Sequence, residues 1–189
     1  MSIKFNLIAA ACENMGIGKN NDLPWRLKSE MAYFTKMTST TTDSRKKNVV
    51  IMGRKTWDSI PPKFKPLSDR INFVLSKSQL DLNQYKDVYG FTSWKEIQDR
   101  LNDNKFKDVY EIVWVVGGSR IYKEAMESKY FYRLYLTEIK KEFDCDTFFP
   151  KLGANLKQIS DPDVPEEVQK EKGIEFQYKV YENNEYKEE

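Results

Sequence analysis

One carboxylate and three glycine-bearing junctions hold most of the chemistry available to this sequence. Glu30 lies in the segment 27–38, where positions 27, 31, 34 and 38 would share one stripe of a helix. Leu27, Met31 and Phe34 make that stripe apolar, and Glu30 falls within or beside it. A carboxylate so placed sits in low dielectric, so its charged form needs a partner and its pKa tends upward. Spacing alone leaves two readings open. An acid in a first helical turn complements the macrodipole with no further role. Alternatively, the preceding Leu23-Pro24-Trp25 supplies an apolar and aromatic wall for a working acid.

The junctions follow three β-branched runs. NVVIM at 48–52 leads into Gly53-Arg54-Lys55-Thr56, INFVL at 71–75 into Ser76-Lys77-Ser78, and IVWVV at 112–116 into Gly117-Gly118-Ser119-Arg120. Glycine admits close approach of a ligand, and a helix N-terminus offers unpaired N–H groups and partial positive charge. Any one of these is also an ordinary turn with solvated cations. Three in one sheet would hold a ligand with several phosphates. Arg54, Lys55, Ser76 and Lys77 include no carboxylate, which favours a 2′-phosphate and hence NADP over NAD. The segment Gly16-Ile17-Gly18-Lys19-Asn20-Asn21-Asp22 matches GxGxxG only weakly, so a standard Rossmann domain is not expected.

The 189 residues contain no histidine, which excludes Ser-His-Asp triads, Cys-His dyads and His-ligated metals. Proton handling is left to carboxylate, Lys, Tyr, Cys or water. The 31 basic and 29 acidic side chains leave a net charge of +2, so neither a general polyanion partner nor a dedicated nucleic-acid site is expected. Cys12 and Cys145 form no CxxC and lie far apart in sequence, which argues against a disulfide framework or structural zinc and fits a reducing compartment. No metal site is expected. Trp25, Trp57, Trp94 and Trp114 do not alternate with a basic stripe and are read as packing residues. No apolar run reaches membrane-span length. The opening MSIKFNLIAAAC is read as the start of the fold rather than as a leader, so a cytoplasmic protein is expected.

These side chains need a scaffold. Strands are expected over 3–11, 48–52, 70–75 and 111–116, apolar almost throughout, as in a parallel sheet covered on both faces. Helices are expected over 27–38, 55–60, 93–102 and 119–127. Segment 130–139 reads as a further strand, and IEFQYKVY at 174–181 alternates with period two, suggesting an antiparallel C-terminal edge. The fold class is α/β: a mainly parallel central sheet of about eight strands with about four flanking helices, in a single domain over 1–189. Segments 38–47 and 161–173 are expected as exposed connections and 183–189 as a frayed tail.

Several ordered blocks carry a resemblance: MGIGKNNDLPW at 15–25, VIMGRKTWDSIP at 50–61, PLSDRINFVLS at 66–76, VWVVGGSRIYKEAM at 113–126 and DTFFP at 146–150. The chain resembles the animal-type dihydrofolate reductases over residues 3–181. The resemblance implies that NADPH delivers a hydride to C6 of 7,8-dihydrofolate while N5 gains a proton. It implies that Glu30 pairs with the pterin N3 and 2-amino group, supported by Thr137, with Leu23 and Trp25 beside the reacting ring. Carbonyls of Ile8 and Val116 would face the pterin 4-position, with Ala9 and Tyr122 nearby. Met31, Phe34, Ser59, Ile60, Pro61 and Leu67 would line the pterin and benzoyl groups, and Arg70 would fork onto the α-carboxylate.

For the cofactor, the resemblance implies a lid over the nicotinamide from Ala10, Ile17, Gly18, Asn20, Asp22 and Leu23. Gly53, Arg54, Lys55, Thr56, Leu75, Ser76, Lys77 and Ser78 would serve the adenosine side. Val116, Gly117, Gly118, Ser119, Arg120, Ile121 and Tyr122 would serve the pyrophosphate. Cis peptides are implied at Lys65-Pro66 and Gly117-Gly118. Dihydrofolate, folate analogues and antifolates such as methotrexate are the implied partners, with no membrane, and a monomer is implied. Arg26-Leu27, Met31 and Thr92 depart from the common pattern, Thr92 standing where a basic adenosine contact often lies. Two alternatives stay open: another pteridine or flavin-precursor reductase, which would not need Glu30 with Arg70, and a nucleotide- or RNA-binding module without turnover.

Overall fold

Apolar runs without alternation must be covered on both faces, and they are in the computed structural model, which describes residues 2–189. Strands β1 (Phe5–Ala11), β3 (Lys47–Gly53), β4 (Arg70–Leu75) and β6 (Tyr110–Val115) lie side by side and parallel. Every residue of β4 is buried, as are six of seven in β3. The sheet continues in the order β10 (Gln169–Glu171), β11 (Ile174–Asn183), β7 (Phe131–Ile139), β1, β6, β3, β4 and β5 (Val88–Phe91), with β5 and β7 parallel to their neighbours β4 and β1. Strand β11 (Ile174–Asn183) runs antiparallel to β7. A separate ribbon pairs β2 (Gly16–Gly18) with β8 (Thr147–Phe148).

Four helices flank the sheet: α1 (Lys28–Ser39), α2 (Arg54–Ser59), α3 (Trp94–Asn102) and α4 (Ser119–Met126). Two cores result. Leu27, Tyr33 and Trp57 bring α1 and α2 onto one face with Ile8, Met52 and Trp114. Ile97, Leu101, Ile121 and Ala125 bring α3 and α4 onto the other with Phe5, Phe73 and Val115. The α/β class, the sheet and the four helices are as expected.

Some boundaries differ, for physical reasons. Strand β1 begins at Phe5, not at residue 3. The alternating segment at 174–181 is not an edge: β10 (Gln169–Glu171) and β9 (Leu156–Ile159) both pair with β11 on its outer side. Residues 161–173 are thus more than an exposed connection, and Val164 is buried within them. Strand β5 escaped notice because only its two ends, Val88 and Phe91, face inward. Thr38 belongs to α1 and is fully buried rather than opening a surface loop. The tail does not fray. Tyr186 Oη donates to the Ile3 carbonyl, Lys4 pairs with Glu188, and Lys129 pairs with Glu189.

Helix α1 has no cap of its own, because Leu27 at the N-cap position lacks a polar side chain. Glu171 of β10 supplies one from across the chain. Its carboxylate accepts from Lys28 N at 2.7 Å, Ser29 N at 2.8 Å and Ser29 Oγ at 2.6 Å. Those bonds, the Ser29 hydroxyl first, hold the Glu171 carboxyl down at about 2. A depressed carboxylate stabilises the fold above its unfolded value and loses that contribution as pH falls through its folded one. Glu171→Ala is therefore expected to lower the thermal midpoint at pH 7. The gap from wild type should close as pH falls from about 4.5 to about 2, followed by calorimetry across that range.

Candidate active site

Parallel pairing points the carboxyl ends of β1, β3, β4 and β6 the same way, and the junction residues collect there. The ends of β3 and β6 are tied directly: Gly53 N donates to the Gly117 carbonyl at 2.9 Å. A Cβ on Gly53 would come within 2.9 Å of Ile121 Cγ1. Gly117 has φ +115°, and a Cβ there would meet the Tyr122 ring at 3.1 Å. Both positions need glycine for these close approaches. The Gly117-Gly118 and Lys65-Pro66 peptides are cis. Helices α2 and α4 open on Gly53 and Gly118 with no side-chain cap.

Glu30 sits on the inner face of α1, only 6% exposed, and among the described residues its sole side-chain partner is Thr137 Oγ1, which donates to Oε1 at 3.2 Å. Burial pushes its carboxyl up to about 7, with the Thr137 hydrogen bond pulling weakly the other way. Thr137 is placed by register, opposite Ala10 of β1 and Tyr178 of β11. Tyr33 stacks on Tyr178 at 3.8 Å and closes the far side. Behind the β1 end, Tyr122 Oη donates to the Ile8 carbonyl at 2.7 Å. Trp25 is buried, and its Nε1–H has no acceptor among the described residues.

A second buried charge lies at the other end of α1. Arg70 is 5% exposed, and among the described residues no carboxylate comes within 4.0 Å of it. Its Nε donates to the Ser68 carbonyl at 2.8 Å and its Nη1 to Thr38 Oγ1 at 2.9 Å. Burial lowers its pKa. The site thus holds a carboxylate without a cation and a guanidinium without an anion, two costly groups that a ligand of matching polarity would relieve.

Of the other expected residues, Ala10, Leu23, Phe34, Ile60, Leu67 and Val116 pack against the same core as Ile8 and Trp25. Ala9, Leu75, Ile121 and Tyr122 place their side chains in the opposite core, with Ile17 against it. Met31 does not share the inward stripe; it is 47% exposed, and the buried face of α1 runs through Glu30, Tyr33 and Thr38. Ser59 and Pro61 are exposed. Ser76 is buried, whereas Arg54, Lys55, Lys77, Ser78 and Arg120 are exposed and Thr56 is half-buried. Arg54 Nη1 donates to Ser78 Oγ at 3.1 Å, linking two junctions. Ser119 Oγ donates to the Phe148 carbonyl. Thr92 is not free, since its Oγ1 donates to Glu96 at 2.8 Å.

The segment 16–22 is a folded-back ribbon. Lys19 and Asp22 exchange backbone hydrogen bonds across Asn20 and Asn21, both at positive φ. Gly18 pairs with Thr147, and Asn20 N donates to Asp146. Arg26, one of the departures, bonds the Leu23 carbonyl and the Asp22 carboxylate, each at 2.7 Å, and so fastens the junction between ribbon and α1.

Positioning residues escaped the sequence reading. Asn48 donates to the Thr38 and Thr40 carbonyls and accepts from Ile112 N, locking the α1 end to β6. Asn72 both donates to and accepts from the Leu67 backbone at 3.0 Å. A signal existed: each is a polar residue inside an otherwise apolar buried run.

With this geometry in view, comparison with known proteins is decisive. The family model for dihydrofolate reductase matches residues 4–183. The chain belongs to the dihydrofolate reductase family. It is 48% identical over 185 residues to the dihydrofolate reductase of Sus scrofa, covering 95% of this chain and 97% of that one. It is 45% identical over 181 residues to that of Aedes albopictus, again at 95% and 97%. The solved Schistosoma mansoni dihydrofolate reductase superimposes with a TM-score of 0.84 at 38% identity, over 97% of this chain and all of that one. The chain is an oxidoreductase that reduces dihydrofolate to tetrahydrofolate with a nicotinamide cofactor. Among the described residues no helix is long and apolar enough to cross a membrane.

The raised acid makes a stability prediction. Glu30 titrates near 7 folded and near 4.5 unfolded, so the folded protein keeps its proton longer and loses stability as pH rises between those values. By pH 8 that loss approaches about 3 kcal/mol. Glu30→Gln is expected to raise the urea midpoint of the ligand-free protein at pH 8 and to leave it nearly unchanged at pH 4.

Proposed function

We propose that Glu30 and Arg70 are the two ends of a dihydrofolate grip and that the reductant is NADPH. The observation that carries this reading is the pair of buried, uncompensated charges at opposite ends of α1. Thr38, the side chain that holds Arg70, lies eight positions on from Glu30, which is about 12 Å of helix rise. A ligand with a hydrogen-bond-donating heterocycle at one end and a carboxylate at the other satisfies both charges at once.

In this reading Glu30 accepts from the pterin N3 and 2-amino groups through its two oxygens, and Thr137 keeps the carboxyl oriented. The Ile8 carbonyl already takes the Tyr122 hydroxyl but retains a second lone pair for the pterin edge, beside the Val116 carbonyl. Phe34, Ile60 and Leu67 form apolar walls, and Met31, Ser59 and Pro61 stand at the exposed mouth. The planar fork of Arg70 takes the substrate α-carboxylate.

The residues present suit a dinucleotide. Gly53 and Gly117 admit close backbone approach, the two uncapped helix starts offer free N–H groups, and Arg54, Lys55, Ser76 and Lys77 supply donors for a 2′-phosphate. When bound, the reduced nicotinamide supplies the hydride. The chain's own part is positional. Ala10, Ile17 and the 16–22 ribbon cover the ring, while Leu23 and Trp25 exclude bulk water from it. With no histidine available, Glu30 holds a proton near neutrality because of its burial, and water carries a proton on to N5. The chain works as one domain and a monomer in the cytoplasm, and folate analogues such as methotrexate compete at the Glu30 end.

The test is loss of absorbance at about 340 nm on mixing protein, NADPH and dihydrofolate, and its block by methotrexate. Glu30→Gln is expected to cut turnover at neutral pH at least about 100-fold while keeping NADPH binding. Near-normal turnover of that variant would sink the assignment. Arg70→Leu is expected to raise the KM for dihydrofolate roughly 10- to 100-fold with the KM for NADPH unmoved.

A further inference from the structure

The two cysteines, 133 positions apart in sequence, meet in space. Cys12 Sγ and Cys145 Sγ are 3.8 Å apart, in van der Waals contact, and both are free thiols. They sit at the root of the 16–22 ribbon. Cys12 follows β1, and its backbone N–H donates to the Gly16 carbonyl at 3.0 Å. Cys145 precedes β8, and the next residue, Asp146, donates its N–H to the Gly18 carbonyl at 2.9 Å. Gly16 is packed so tightly on the pair that a Cβ there would overlap the Cys145 Sγ. The mechanism proposed above uses neither thiol.

We propose that Cys12 and Cys145 form a dithiol site that low-molecular-weight disulfides of the glutathione class convert to a Cys12–Cys145 bond. The two thiols differ in access, and that sets the order of events. Cys145 is half-buried and reachable, whereas Cys12 is 3% exposed and sheltered. The Cys145 thiolate attacks one sulfur of the oxidised glutathione, forming a mixed disulfide and expelling one glutathione thiolate. Cys12 then loses its proton and attacks the Cys145 sulfur, the Cys12–Cys145 bond forms, and the second glutathione leaves. Two electrons pass from the protein to glutathione disulfide, and the two cysteine protons end on the two glutathione thiols.

Closure needs the sulfurs to move together by a little under 2 Å, within reach of side-chain rotation. Exchange is slow, because burial and the neighbouring Cys12 push the Cys145 thiol up to about 11. Asp144 adds to that rise and pairs with Lys19 at 3.3 Å, and the carboxylates of Glu13 and Asp146 flank the two cysteines along the chain. A closed bond would tie the strand end of β1 to the loop before β8 and so stiffen the root of the ribbon. That consequence rests on the reading of 16–22 as a cofactor lid; the bond itself does not.

The protein, held at pH 8.5 with oxidised glutathione, is quenched in acid and followed by intact mass and by maleimide labelling after unfolding in denaturant, which exposes the sheltered Cys12. The expected product is a monomer about 2 Da lighter, with both thiols lost to maleimide and both recovered by dithiothreitol. Cys12→Ser should stop at one glutathione adduct on Cys145. A wild-type protein that ends as a stable glutathione adduct, as a disulfide-linked dimer, or unmodified would overturn the site. The mass readout needs no catalysis, so it is independent of the folate assignment. Oxidised wild type should also turn over at least roughly threefold more slowly, recovering with dithiothreitol, with Cys145→Ser insensitive to the same treatment. Equal turnover of the oxidised and reduced forms would overturn the coupling to the lid.

Discussion

A carboxylate out of water with a lone hydroxyl for company is the constraint that organises this molecule. Glu30 is almost wholly buried, meets no cation among the described residues, and is held against Thr137 by two separate elements, α1 and β7. Keeping it there costs stability at neutral pH, since the folded environment favours the protonated form. Such a cost persists only where the surroundings leave the side chain no alternative. Here the stacked Tyr33–Tyr178 pair and Tyr122 lie near enough for the Glu30 charge to push their hydroxyls upward.

The helix that carries the acid also fixes the arginine. Thr38, two turns beyond Glu30, accepts from Arg70 while donating its own proton to the Phe34 carbonyl. Asn48 pins the same helix end to β6, and Glu171 caps the opposite end from β10. The distance between the two buried charges is therefore set by a rigid rod clamped at both ends. If Glu30 and Arg70 form the proposed grip, selection of a substrate by length follows from that geometry. A heterocycle without a carboxylate tail, or with one at the wrong span, would leave one charge buried and unrelieved.

Much of this was legible in the sequence. The apolar runs of β3 and β4 announced a parallel sheet because nearly every residue in them is covered, that of β6 because its second half is, and the glycines marked junctions where strands end. Glu30 was visible as an acid beside an apolar stripe. The direction of that stripe was less visible: helical spacing placed Met31 inward, whereas the packed face runs through Tyr33 and Thr38, because Glu171 and the tyrosines of the antiparallel strands set the rotation of α1. Contacts between distant segments were beyond reach for the same reason. Nothing in local pattern relates residue 171 to residue 28, residue 12 to residue 145, or the tail to residue 3. Those meetings are decided by topology, once β11 has paired with β7 and carried its neighbours along.

The lack of histidine makes the division of labour clearer. Among the described residues no second titratable group bonds Glu30 to tune its carboxyl. Desolvation alone supplies the shift, and Thr137 opposes rather than assists it. In the proposed function the acid has two tasks in sequence: gripping a heterocycle as an anion and, when protonated, sharing its proton with water at the pterin edge. Both depend on the same dryness. Widening the pocket around Trp25 or Leu27 to admit water would return the carboxyl toward its ordinary range, strengthening it as an anion while removing the protonated fraction that neutral-pH turnover draws on. On that proposal, tight substrate binding and proton supply compete within a single side chain. The apolar packing of α1 on the sheet fixes where that balance lies.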